Sequence, residues 1–441
     1  MMRKASLVVA GAFLGAGATM FASDALRLPA ANAAGSETYR QLAIFGDIFE
    51  RVRANYVEVP DEKDLVKNAI NGMLTSLDPH SSYLDAEGAE DMRTQTRGEF
   101  GGLGIEVTME NELVKVITPM FGTPAEEAGI LAGDFISAID GTDIRGLSLQ
   151  EAVDMMRGPV NTPIELTVLR EGQPEPLEIT IIRAVIKVQA VKWSLEEDVG
   201  YMRLTTFSQQ TYDDLEQAIT EIKKEAGDKE LKGYVLDLRL NPGGLLDQAI
   251  NVSDAFLEQG LIVSTRGREE NDSRRFSARP GDLVDGAPVI VLVNGGSASA
   301  SEIVAGALQD HRRATVVGSR SFGKGSVQTI ISLGDAGALR LTTALYYTPA
   351  GVSIQGKGIT PDINVKQTLP EELQGVDVSR GESDLRGHIE GAEEDEDGSG
   401  SVAYVPRDKA EDDQLKFALA LLRGEEQNDA FPPNPATALP N

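Results

Sequence analysis

The 441-residue sequence contains no cysteine. This excludes disulfides, a thiolate nucleophile and thiolate metal sites, and leaves the compartment open. Histidine is almost as scarce. Only His80, His311 and His388 occur, too few and too scattered for a multi-histidine metal site. Basic residues are in deficit, 41 Lys and Arg against 69 Asp and Glu, for a net charge of −28. Nucleic acid and anionic membrane surfaces need clustered positive charge, so neither is an expected partner. Beyond the N-terminus there is no long apolar run, so the processed chain is expected to be soluble.

That N-terminus is itself informative. Arg3 and Lys4 precede an apolar stretch over residues 5–22, and Ala31-Asn32-Ala33 supplies a small-x-small cleavage signal. The pattern is that of a secretory signal over residues 1–33, cut after Ala33, and predicts an exported, periplasmic protein. An uncut signal would instead leave the chain anchored at the inner membrane. The run is short and rich in Gly and Ala for a stable span, which favours cleavage.

The length allows two or three domains with cores of their own. Ile44/Phe45, Ile48/Phe49 and Val52 recur at helical spacing, as do Leu65/Val66, Ala69/Ile70, Met73/Leu74 and Leu77. These give an N-terminal helical region over residues 34–97. Asp78-Pro-His-Ser-Ser82 closes the second helix, and His80 reads as a local hydrogen-bonding residue of that turn. From residue 98 to 186, short strands, glycine turns and two short helices alternate. From 187 to 366, strands at 200–207, 233–239, 288–293, 314–318, 327–332 and 339–347 alternate with helices, the pattern of an α/β domain. Residues 367–441 read as an acidic, flexible tail, with Glu393-Glu-Asp-Glu-Asp397, a Gly398-Ser-Gly400 linker and a short helix over 414–422. The fold class is therefore a multidomain α+β and α/β protein.

The chemistry concentrates at Asn294-Gly-Gly-Ser-Ala-Ser-Ala-Ser-Glu302 and at Phe322-Gly-Lys-Gly-Ser-Val-Gln328. The first places Ser297, Ser299 and Ser301 where a strand gives way to a helix. Ser299-Ala-Ser-Glu302 is also a capping box, in which Ser299 only caps the helix. The second places Lys324 in a glycine turn before a strand. The run 318–325 resembles a phosphate-binding loop but fails twice: Gly325 stands where a metal-binding hydroxyl belongs, and a strand follows in place of a helix. A free lysine, with a pKa of about 10.4, is almost fully charged at neutral pH, and burial lowers that value. A buried Lys324 could then serve Ser299 as a base, with the Gln328 amide oxygen aiming it. His311, twelve residues after Ser299, falls at the far end of the same helix, well over about 10 Å away. Oxyanion donors are expected from the Ala300 N–H and from a glycine N–H of Asn241-Pro-Gly-Gly244, taken as Gly244.

Residues 98–186 resemble a PDZ domain, with Leu103-Gly104-Ile105 matching the carboxylate-binding loop that captures a free peptide C-terminus. Together with Phe45-Gly-Asp-Ile-Phe-Glu-Arg51, Leu77-Asp-Pro-His-Ser-Ser-Tyr83, Asp237-Leu-Arg-Leu-Asn-Pro-Gly-Gly244 and Gly356-Lys-Gly-Ile-Thr-Pro-Asp362, the set resembles the carboxyl-terminal processing proteases. The resemblance implies a crotonase-like peptidase core, Ser299 as nucleophile, Lys324 as base and Gln328 as its partner. It also implies cleavage of protein substrates near their C-termini with no metal or cofactor, gating by PDZ repositioning, and self-association through the terminal helices. An activating adaptor protein is a further expected partner. A rival reading is a non-catalytic exported PDZ scaffold or holdase, which binds peptides without cutting them. A histidine-dependent peptidase would need His311 beside Ser299.

Overall fold

The computed structural model describes residues 29–374, 379–391 and 398–433, so the apolar stretch over 5–22, expected to be a signal, and the Glu393–Asp397 acidic run lie outside the described residues. The chain divides into two units, residues 1–73 and 74–441.

In the first unit, helices α1 (Pro29–Asn55) and α2 (Glu62–Thr75) realise the two amphipathic patterns, and Arg53 bonds Glu62 across their turn. The small-x-small motif at 31–33 falls within α1. Tyr39, Leu42, Phe45 and Ile48 are all at least half exposed along α1.

The second unit opens with β1 (Ser82–Leu84) and α3 (Ala86–Arg97), which is capped by the Asp85 carboxylate and stopped by Gly98 in the left-handed conformation. The chain then passes through β2 (Glu99–Gly102) into a small sandwich. Its elements are β3 (Ile105–Glu110), β4 (Leu113–Pro119), α4 (Pro124–Glu127), β5 (Phe135–Ile139), β6 (Thr142–Asp143), α5 (Leu149–Met156), β7 (Pro163–Leu169) and β8 (Leu177–Ile182). The sheet runs β3-β4-β5-β7-β8, with β3 at an edge. Alternate residues of β4 and β7 point inward, and a register shift after Ile136 brings Ile139 of β5 inward as well, so Val114, Val116, Ile136, Ile139, Leu166 and Val168 form its core. The exit strand β9 (Ala184–Lys187) pairs antiparallel with the entry strand β2.

The α/β core follows: β10 (Val191–Glu196), β11 (Val199–Leu204), α6 (Thr211–Ala226), β12 (Gly233–Asp237), α7 (Leu246–Asp254), β13 (Leu261–Gly267), β14 (Arg274–Ser277), β15 (Val289–Val293), α8 (Ala300–Asp310), β16 (Ala314–Gly318), β17 (Ser326–Ser332), β18 (Ala338–Tyr347) and β19 (Ile363–Asn364). Strands β11, β12, β15, β16 and β19 pair in parallel, with β10 antiparallel at the edge. Every residue of β15 and β16 is buried, as a parallel sheet covered on both faces requires. A second sheet carries β1-β18-β13-β14, with β17 on the free side of β18.

The C-terminal region differs from the flexible tail read from its composition. After β20 (Ser379–Arg380) and β21 (Ser401–Val402), α9 (Asp413–Arg423) lays Leu415, Ala418, Leu421 and Leu422 on the sheet face formed by Val199, Val235, Ile290 and Leu292. Arg239 and Asp412 fasten it: the buried guanidinium forks onto both Asp412 oxygens at 2.8 and 2.7 Å while also holding Asp237. The Gly398-Ser-Gly400 segment is seated too, since Gly400 N–H bonds Ser321 O at 2.9 Å and the Gly398 carbonyl accepts from Arg320. Composition misleads here because the acidic residues that pull the average down sit between segments whose own apolar or small residues are buried.

Candidate active site

Ser299 is the N-cap of α8, with φ 56° and ψ −112°. A side chain at such a φ costs about 1–3 kcal/mol and must be held by its surroundings. Glu302 holds it. The Ser299 N–H donates to Glu302 Oε2 at 2.7 Å, the reciprocal arm of a capping box, but no side-chain bond caps the helix from the Ser299 hydroxyl. The capping role weighed from the tetrapeptide therefore falls to Glu302 and leaves the hydroxyl uncommitted.

The neighbouring serines differ from it. Ser297 Oγ donates to Leu238 O at 2.8 Å, Ser301 Oγ donates to Asn241 O at 2.9 Å, and both residues are fully buried. Ser299 alone of the three lines a cleft, of about 730 Å³. Its walls include Thr206, Phe207, Gly243, Gly244, Leu246, Ile250, Phe276, Val327, Gln328, Arg340 and Tyr346 of the core, and Met92, Gln95 and Thr96 of α3. None of these wall residues comes from the 98–186 sandwich, and the cleft lies between the core and α3, the helix that leads into the sandwich.

The glycines of the 241–244 turn are required by close approach. A Cβ on Gly243 would stand 2.8 Å from Ala298 O and 2.9 Å from Ser299 Cβ, and one on Gly244 would stand 2.2 Å from Phe207 O. Both have positive φ. The Gly243 N–H is spent on the Asn241 side chain at 2.9 Å. The N–H groups of Gly244 and of Ala300, the first residue of α8, have no acceptor among the described residues.

Lys324 follows Gly323 in a turn clamped by Glu302. That carboxylate accepts from Ser321 Oγ (2.5 Å), Gly323 N (2.6 Å) and Lys324 N (2.9 Å) in addition to Ser299 N. Burial pushes the Glu302 carboxyl up to about 7 despite these four donors. One fully buried group thus joins the backbone of Ser299 to that of Lys324. Burial, with help from the Arg340 charge, lowers the Lys324 ammonium from its ordinary value, and Glu382, Glu302 and Asp78 oppose that shift. The amine is not bonded to Ser299 Oγ among the described residues, and Lys324 is not part of the cleft wall. Gln328 is on the wall. Its amide nitrogen donates to Ser326 Oγ at 3.0 Å and Thr342 Oγ1 at 3.4 Å, and its amide oxygen has no bond to the Lys324 amine among the described residues. The register of β17 against β18 shifts between Val327 and Gln328, a bulge of the kind that redirects a side chain beside a site.

The histidines sort cleanly. His311 ends α8 and its Nε2 lies 2.7 Å from Leu261 O, remote from Ser299 by the length of the helix. His80 is more than a local turn residue: its N–H bonds Asp78, but its ring reaches Glu382, 302 positions away. Sequence reading missed Glu302 as a clamp, named Asp78 and Arg239 only within motifs and without a role, and missed Glu382 and Asp412 altogether. Only Glu302 carried a local signal.

Leu103, Gly104 and Ile105 lie together in the sandwich, with Phe100, Val153, Met156 and Arg157, around a groove of about 130 Å³ beside edge strand β3. Gly104 has φ 79°, and a Cβ there would meet Thr123 at 2.4 Å.

A loop-to-helix serine opening on a cleft of a parallel α/β core, joined to a small β domain with a glycine loop beside an edge strand, is the arrangement of a PDZ-containing serine peptidase. The family described as peptidase family S41 matches residues 198–365, the PDZ family matches 116–170, and the N-terminal domain of the activating protease CtpB matches 7–88. The carboxy-terminal-processing protease of Bartonella bacilliformis is 63% identical over 435 residues, covering 99% of each chain. The corresponding protease of Synechocystis is 39% identical over 327 residues, 72% of this chain and 75% of that one. Among solved structures, the photosystem II D1 C-terminal processing protease is 32% identical, covering 76% of this chain and 95% of that chain with a TM-score of 0.42. The chain belongs to the carboxyl-terminal processing proteases of family S41, serine-type peptidases that carry a PDZ domain.

Proposed function

We propose that Ser299 is the nucleophile and Lys324 its general base, in an exported endopeptidase that cuts protein chains near their C-termini. The observation that carries this reading is the contrast among three serines, of which Ser299 alone has an uncommitted hydroxyl and opens on the cleft. The helix start favours developing negative charge at that position. A neutral Lys324 amine takes the hydroxyl proton as Ser299 Oγ attacks the scissile carbonyl carbon. The N–H groups of Ala300 and Gly244 receive the resulting oxyanion. Collapse expels the new amine terminus, which takes the proton from Lys324, and water then hydrolyses the acyl-enzyme by the same proton route. Lys324 and Gln328 must first turn toward Ser299. A movement of α3 with the PDZ module attached to it is the proposed trigger, since α3 forms part of the cleft wall.

The PDZ groove at Leu103, Gly104 and Ile105 would hold the substrate's terminal carboxylate, with the peptide paired along edge strand β3. Arg3, Lys4, the apolar stretch and the Ala31-Asn32-Ala33 motif support export to the periplasm. Mass spectrometry of the purified protein should then find an N-terminus at Ala34, whereas an intact Met1 would indicate a retained anchor.

Ser299→Ala and Lys324→Ala should each lower turnover of an unfolded protein substrate by about a thousandfold or more. Ser297→Ala and Ser301→Ala should retain turnover while losing about 0.5–1.5 kcal/mol of stability from one buried hydrogen bond each. Undiminished turnover by Lys324→Ala would remove the proposed base.

A further inference from the structure

A second residue with a buried carboxylate, Glu382, also bears on the Lys324 loop. Glu382 lies beyond residue 365, where the peptidase-family match ends, and it is fully buried. Its N–H donates to Phe322 O at 2.9 Å, two residues before Lys324. Its carboxylate accepts from Gln355 Nε2 at 3.1 Å, and both its oxygens lie 2.9 Å from His80 Nε2. Gln355, also buried, returns to the loop on the far side, accepting the Gly325 N–H at 3.0 Å. Lys324 is thus bracketed at Phe322 and at Gly325 by bonds that begin at one residue.

The same carboxylate reaches the cleft wall by way of His80. Arg340 Nε donates to His80 O at 3.1 Å. The His80 N–H donates to Asp78, which also accepts the Thr342 hydroxyl at 3.1 Å, and Thr342 in turn accepts from Gln328. Arg340 and Gln328 both face the cleft. A merely space-filling residue would need none of these links. A buried carboxylate left half-satisfied would be costly, so the network holds its geometry firmly.

We propose that Glu382 is a positioning residue for the Lys324 loop, supplied by the C-terminal region and clasped by His80 and Gln355. It touches no wall of the cleft and acts through the base. The inference rests on the reading of Lys324 as that base. Four charged groups bear on the Lys324 amine: Arg340 on β18, Glu302 on α8, Asp78 in the turn before β1, and Glu382. Replacing Glu382 by glutamine removes one of three carboxylates that favour the ammonium, while keeping a side chain of the same shape.

The test is the pH dependence and steady-state kinetics of full-length Glu382→Gln on an unfolded protein substrate. Active enzyme is counted by titration with an acylating probe for Ser299, so loss of folded protein does not count as loss of rate. The expected result is a kcat lower by about tenfold to a hundredfold, a KM within about threefold of wild type, and an acid limb displaced to lower pH. Glu382→Asp, which keeps the charge but shortens the reach, should lower kcat and leave the limb in place. A folded Glu382→Gln enzyme with unchanged kcat, or with its acid limb unmoved, overturns the proposal. If Glu382→Gln does not fold, His80→Gln takes its place: a fall in kcat at constant KM supports the clasp, and wild-type kcat overturns it. Lys324→Ala run alongside separates the two readings. If that variant is active, the base assignment fails; if it is dead while Glu382→Gln behaves as wild type, only the positioning role fails.

Discussion

Glu302 shows how one side chain can serve two parts of a site at once. It is fully buried, yet it collects hydrogen bonds from Ser299, Ser321, Gly323 and Lys324. Burial outweighs those donors and lifts its carboxyl to about 7. An unfolded glutamate titrates at about 4.3, so the folded state binds the proton more tightly. The resulting contribution to stability is complete below about pH 4.3 and is lost as the pH rises through 7. Urea unfolding of wild type and Glu302→Gln should therefore show a stability gap that is largest near pH 4 and narrows toward neutrality. A gap that grows with pH would mean that the carboxylate, and not the acid, is the form the fold prefers.

Elements place these residues by rules of different reach. Strand β15 and helix α8 were legible because a run of apolar residues followed by small polar ones and then a helical pattern is a local signal, and the structure puts the strand at Val289–Val293 and the helix at Ala300–Asp310. The Ser299 and Lys324 loops were legible for the same reason, as glycine-rich breaks between regular elements. Helix α6, with Leu215, Ala218, Ile219 and Ile222 on one buried face, carried a pattern just as clear that went unread. Glu382 and Asp412 were not legible at all, because their partners His80 and Arg239 lie 302 and 173 positions away and no periodicity links them. Helix α9 is the case where this matters most for stability. Asp412→Ala would leave the buried Arg239 guanidinium with Asp237 and Gln414 but without its bidentate bond to α9, and should lower unfolding stability by about 1–3 kcal/mol, read by denaturant titration. Exposed ion pairs such as Lys224 with Glu221 should contribute far less when broken.

At the scale of the whole molecule, the proposed recognition and the proposed chemistry fall in different modules. The PDZ groove and the Ser299 cleft share no wall residue. Binding of a peptide with a free terminal carboxylate should survive Ser299→Ala intact, and amidation of that terminus should weaken it by about tenfold or more, measured by calorimetry. Equal affinity for the two peptides would exclude carboxylate capture at Leu103–Ile105.

The recognition module also leaves the chain where it enters. Strands β2 and β9 run side by side, and beyond them the Val188 N–H meets the Gly98 carbonyl at 2.9 Å. Some ninety residues are therefore spliced into the peptidase through a doorway one hydrogen bond wide. Such a cassette could be lifted out or exchanged for another of different taste, with the two cut ends already near enough to be sewn together.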